Sequence, residues 1–306
     1  MTGARLLMLA AVTLAATASG GAPRVLAVDG VRLQVESSGG DFNAGAAAID
    51  AWLRRSAAIV AAYYGTFPVP AVRIELRVEP GAGVQGGSTY ADPDALIRVR
   101  VGREVTAAQL ESDWVMVHEM THLALPDVGP AHAWLSEGLA TYVEGIARVH
   151  AGNRSEQDVW AEELRQMPRG LPQAGDAGLD RTHTWGRTYW GGAMFCLMAD
   201  VDIRRRTHNA RGLEDAVRAI ARASGGLKAA WPIERVLRTG DAAVGTMSLE
   251  DLYARMKDSA WTPDLPALWR DLGVESDGDS VRLNDAAPLA PVRHAIMAPS
   301  AETPRS

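Results

Sequence analysis

The 306-residue chain has a single cysteine, Cys196. One thiol excludes an intrachain disulfide framework and a cysteine-rich metal cluster. Its place in an apolar helical stretch makes it a core residue. A positive balance is also missing, since 31 Lys and Arg stand against 37 Asp and Glu, a formal charge of -6. General nucleic-acid binding requires a basic footprint, so no nucleic-acid partner is expected. No apolar run reaches the roughly 20 residues that span a bilayer. Internal repeats and low-complexity linkers are lacking. The four glycines from Gly81 to Gly87 are not followed by Gly-Lys-Ser/Thr, so they make no phosphate loop. What is present is an ordinary globular composition, 47% hydrophobic and 22% charged, long enough for one large domain or two smaller ones.

The beginning of the chain reads as an address. Arg5 supplies a positive start, Leu6 to Ala16 is apolar, and Ala16-Thr17-Ala18 has the small-x-small form of a cleavage site. This is the pattern of a secretory signal peptide over residues 1–18. It implies a secreted or periplasmic protein with no stable membrane insertion once the segment is removed.

Val25–Val28 and Val31–Glu36 flank Asp29-Gly30, a hairpin signal. Ala44–Tyr64 has helical spacing and stops at Gly65. Val72–Val78 alternates apolar and polar residues, and Ser88–Tyr90 and Leu96–Val101 read as further strands. From Thr106 the periodicity predicts helices over 107–124, 133–148, 156–166, 187–205, 212–223, 231–238, 248–257 and 263–271. A loop fills 167–184, and a short strand falls at Val281–Leu283. Arg204–Arg206 reads as a solvated helix end and His132 as a loop residue. The expected class is α+β: an N-terminal lobe over 23–105 with a small mixed sheet, a mostly helical lobe over 106–295, a cleft between them, and a disordered tail over 296–306.

His118-Glu119-Met120-Thr121-His122 carries the chemistry. Residues i and i+4 share one helix face, so both imidazoles can reach one metal, and the intervening glutamate projects beside them. The surrounding helix is apolar, and buried polar groups need partners. A catalytic zinc takes a third protein ligand and keeps one position open. Glu137, fifteen residues after His122 in Trp134-Leu135-Ser136-Glu137-Gly138-Leu139-Ala140, can complete the set. Glu144, two turns further on the same face, either accepts a hydrogen bond from a ligand imidazole or is solvated.

These two motifs resemble those of the gluzincin zinc metallopeptidases, of the aminopeptidase N type and the related glycyl aminopeptidase group. The resemblance implies a thermolysin-like two-lobed catalytic fold and one zinc per chain. His118, His122 and Glu137 would be ligands and Glu119 the general base. Tyr189, in Tyr189-Trp190-Gly191-Gly192-Ala193, matches the family tyrosine that donates to the oxyanion; otherwise it is a core aromatic, with His183 the alternative donor. Two departures stand out. The spacer between the motifs is fourteen residues, shorter than in the aminopeptidase N type. The upstream strand has Gly86-Gly87-Ser88-Thr89-Tyr90 where those enzymes carry a glutamate for the substrate's amino group. Gly86, Gly87 and Ser88 can still pair with a peptide backbone, with Asp92 or Asp94 as substitute acids or turn residues. The expected activity is hydrolysis of a peptide or protein substrate. The alternatives are an inactive peptide-binding module and a zinc hydrolase acting on another substrate.

Overall fold

The computed structural model describes residues 23–299. The leader expected over 1–18 and the end of the chain from 300 lie outside them. The fold is α+β, with one five-stranded mixed sheet and many helices.

The sheet is built from β1 (Arg24–Val28), β2 (Val31–Ser38), β3 (Ala71–Glu79), β4 (Val84–Tyr90) and β5 (Leu96–Gly102), in the order β1-β2-β3-β5-β4. Its two inner pairings are parallel and its two outer ones antiparallel. Asp29 and Gly30 both have positive φ, 43° and 83°, as a type I′ turn requires. The alternation in β2 and β3 buries Leu33, Val35, Ile74 and Leu76. Helix α1 (Gly45–Tyr64) adds Ile49, Trp52, Leu53 and Val60 to the same core and stops at Gly65, which is left-handed at φ 80°. Strand β4 forms one edge of the sheet. Gly86, at φ 139°, follows the irregularity in its pairing with β5.

The expected helix over 107–124 is two helices, α2 (Ala107–Glu111) and α3 (Val115–His122). Asp113 makes the break. Its carboxylate accepts from the amides of Val115 and Met116 at 3.1 and 3.0 Å and from the Trp52 indole at 2.9 Å. It thus caps α3 and ties it to α1. A 3₁₀ turn at Pro130–His132 leads into α4 (Ala133–His150), followed by α5 (Glu156–Gln166). The helix expected from 187 opens as a wide π-helical turn, Arg187–Gly191, and continues as α6 (Gly192–Thr207). Helices α7 (Leu213–Ser224), α8 (Ile233–Val244), α9 (Ser248–Met256) and α10 (Leu265–Leu272) follow. A small hairpin, β6 (Val274–Asp277) with β7 (Ser280–Leu283), precedes α11 (Ala290–Met297).

Two expectations are corrected here. The disordered tail does not begin at 296, because Ile296 and Met297 are buried at the end of α11. Arg204 is not solvated. It is buried and donates to Asp200 at 2.8 Å and Glu214 at 2.7 Å. Asp200 also accepts from the Tyr142 hydroxyl at 2.9 Å, so one buried network joins α4, α6 and α7. Buried charges persist when they are paired in this way. Cys196 is buried in the core as expected. Among the described residues no helix is long and apolar enough to cross a membrane.

Candidate metal centre

Helices α3 and α4 bring three donors together. The Nε2 atom of His118 lies 3.2 Å from Oε2 of Glu137, and Nε2 of His122 lies 3.5 Å from the same oxygen. One ligand atom from each residue falls within 4.8 Å of the others. Two atoms bound at about 2.0–2.1 Å to a tetrahedral centre lie about 3.3 Å apart, so these separations suit a zinc ion. The ionisation of Glu137 suits it as well, since a carboxylate ligand must be deprotonated. Burial pushes the Glu137 carboxyl up, but hydrogen bonds from His118 and His122 and their charges outweigh it and hold it well below the usual carboxylate range. His122 Nδ1 is 2.9 Å from the Ser136 hydroxyl. This contact orients the His122 ring and leaves its Nε2 on the side of Glu137.

Glu119 is buried between α3 and the edge strand. The Thr89 hydroxyl lies 2.6 Å from its Oε2 and 2.9 Å from its backbone carbonyl. Gly87 leaves room for it: a Cβ there would stand 2.6 Å from Glu119 Cγ. Gly87 and Thr89 share one face of β4, the face turned to Glu119, because side chains alternate along a strand. Gly86 and Ser88 belong to the opposite face, and the exposed Ser88 hydroxyl donates to Gly87 O at 2.7 Å.

Tyr189 comes from the π-helical turn. Its ring faces His118 at 6.3 Å between centroids. Burial, the Glu137 charge and a hydrogen bond with Glu137 push its hydroxyl to about 12. Its placement depends on a helix seam. A Cβ on Gly138 would lie 2.2 Å from Gly192 Cα, and one on Gly192 would lie 2.0 Å from the Trp134 carbonyl oxygen. Helices α4 and α6 therefore meet backbone to backbone, one residue after Glu137 and three after Tyr189.

The structure thus brings His118, Glu119, His122, Glu137 and Tyr189 into one site, with Gly87 against it. Glu144 is a correction. It accepts from Arg148 at 2.7 Å, and among the described residues none of its hydrogen bonds reaches an imidazole. Ser136 takes the place beside His122 that had been expected for Glu144. His183 is exposed, and Asp94 pairs with Lys228 at 2.9 Å. Sequence reasoning missed Thr89 and Ser136. For Thr89 the available signal was its strand register with Gly87; for Ser136, its position next to the proposed ligand.

No family model matches the sequence, and no curated protein matches it. Solved structures do match in fold. An aminopeptidase N family protein from Idiomarina loihiensis superposes with a TM-score of 0.64 at 15% identity, covering 84% of this chain and 49% of that one. The M1 zinc metallopeptidase from Deinococcus radiodurans gives 0.51 at 15% identity, covering 80% and 53%. A mutant of the latter bound to a Tyr-Ser-Ala substrate gives the same values. The chain therefore has a gluzincin-like fold. It spans about half the length of these structures.

Proposed function

We propose that the chain is an exported, zinc-dependent metallopeptidase. The observation that carries this reading is the convergence of His118 Nε2, His122 Nε2 and Glu137 Oε2, with Glu119 and Tyr189 facing the same space. The sheet and α1, within 23–105, form one lobe of a thermolysin-like cleft. The helices from 106 onward form the other.

His118, His122 and Glu137 hold the metal. Bound zinc polarises a carbonyl and makes water a ready nucleophile near neutral pH. Glu119 takes the proton of the attacking water and returns it to the leaving amine. Thr89 holds the Glu119 carboxylate in place through Oε2. The Tyr189 hydroxyl donates to the carbonyl oxygen as it gains charge. The free edge of β4, from Gly86 to Ser88, pairs with the backbone of a peptide substrate.

The test compares metal content and peptide hydrolysis for the mature protein and Glu119→Gln. Zinc near one per chain is expected in both, with chelator-sensitive hydrolysis falling by about 10²–10⁴-fold in the variant. Full activity in Glu119→Gln would sink the mechanism. Zinc without hydrolysis of any peptide in a broad pool would make the chain a binding module or a hydrolase of another substrate.

A further inference from the structure

A cavity of about 1000 Å³ adjoins the candidate site and is lined by residues of α3, α4 and α5. His118 and Tyr189 belong to both the site and the cavity. Four rings make a continuous strip along it. Trp114 meets His118 edge-on at 5.7 Å, His118 faces Tyr189 at 6.3 Å, and Tyr189 stacks on Trp185 at 5.7 Å. Both tryptophans are more than half exposed, at 53% and 56%.

The rest of the lining is charged, and its cations are engaged. Arg148 donates to Glu144 and to Ser112 O, Arg154 pairs with Glu162 at 2.7 Å, and Arg165 donates to Asp279 O. Arg169 lies over the Trp185 ring at 5.8 Å. Six acids line the cavity against these four arginines. Glu163 differs from the other acids. It is only 5% exposed, it lines the cavity, and its Oε2 has no hydrogen-bond partner among the described residues.

A buried carboxyl without a partner is costly. Burial is the main cause that pushes Glu163 to about 8; Glu162 and Glu144 add to the rise, and Arg154 opposes it. Cys196 on α6, a buried thiol, also lies within its field. An anionic ligand would meet the excess of acids with the arginines already committed. A cationic donor entering from the cavity would satisfy Glu163, and the exposed Trp114 and Trp185 rings at its mouth would accept the aliphatic stem.

We infer that this cavity is a specificity pocket for a lysine or arginine side chain of the substrate, with Glu163 as the carboxylate that recognises it. The inference rests on the peptidase reading and names its substrate class. The cation displaces the Glu163 proton to solvent and leaves an ion pair; no other bond changes.

Two measurements test it. In the first, peptides with lysine, norleucine or glutamate at either residue flanking the scissile bond are compared on the zinc-loaded enzyme. The kcat/KM ratio of lysine to norleucine should be about 10², the scale of a buried charge pair, and should fall close to one in Glu163→Gln. In the second, the lysine and norleucine peptides are titrated by calorimetry into zinc-loaded Glu119→Gln, with and without Glu163→Gln. Tighter binding of the lysine peptide that disappears with Glu163→Gln supports the pocket even if the wild type cleaves nothing, in which case only the peptidase reading fails. Cleavage or binding without a lysine preference overturns the pocket, as does a preference that survives Glu163→Gln. Should Glu163→Gln fail to fold, Glu163→Asp replaces it in both measurements, and a lysine preference that this shortened acid leaves unchanged overturns the pocket.

Discussion

Gly87 and Tyr189 show how much a single residue controls here. In Gly87→Ala the new methyl would stand 2.6 Å from Glu119 Cγ. The carboxylate must move, and a displacement near 1 Å can cost about 10²-fold. We expect kcat to fall by about that factor with zinc content and helicity retained; wild-type turnover would show that the glutamate has slack. Tyr189→Phe removes a donor and keeps the ring on His118. A loss of about 10²–10³-fold in kcat with little change in KM is expected, and an unaltered rate would reduce Tyr189 to packing. The candidate metal ligands were legible because His118 and His122 lie one helix turn apart and Glu137 sits in a second short motif. Thr89 was not, because its partner Glu119 is 30 residues away in the chain.

At the scale of elements, periodicity located the strands and most helices but misjudged what ends them. The break at Asp113 depends on Trp52, which is 61 residues distant. Helix α11 was hidden by Pro288 and Pro291, yet a proline in the first turn of a helix costs no hydrogen bond. Asp200 lies one turn before Arg204 on α6, but the burial of Arg204 also requires Glu214, which only the packing of α7 brings in. The α4–α6 seam invites a direct test. Gly192→Ala would place a methyl 2.0 Å from the Trp134 carbonyl oxygen, and backbone cannot yield as a side chain does. Overpacking costs about 1–3 kcal/mol, and a clash with backbone falls at the upper end of that range. A drop in the denaturant midpoint, with zinc loss at lower denaturant than in the wild type, is the expected result. A midpoint equal to wild type would mean that the helices can part freely.

At the scale of the whole molecule, the buried acid Glu163 gives stability a pH dependence with a definite sign. Its folded-state value is raised to about 8, against about 4.3 in an unfolded chain. Between those values the native state binds the extra proton, so this contribution is present below about pH 4 and is lost as pH rises toward 8. Urea midpoints at pH 5, 6.5 and 8 should decline more steeply in the wild type than in Glu163→Gln. Parallel curves would show that Glu163 titrates normally. The sheet and the helices share one hydrophobic cluster, so such changes register in the whole fold. The α+β class could be read from composition and periodicity. The side-by-side placement of site and cavity could not, because it follows from how α3, α4 and α5 pack.

The glycine seam also has a mechanical consequence. Helices separated by side chains can absorb a small shift through rotamer changes, whereas helices in backbone contact have no such cushion. The spacing between a carboxylate one residue from the seam and a hydroxyl three residues from it should therefore be stiff under heat or pressure. Compliance would be left to the exposed tryptophans and the edge strand, where the proposed peptide substrates would have to be accommodated.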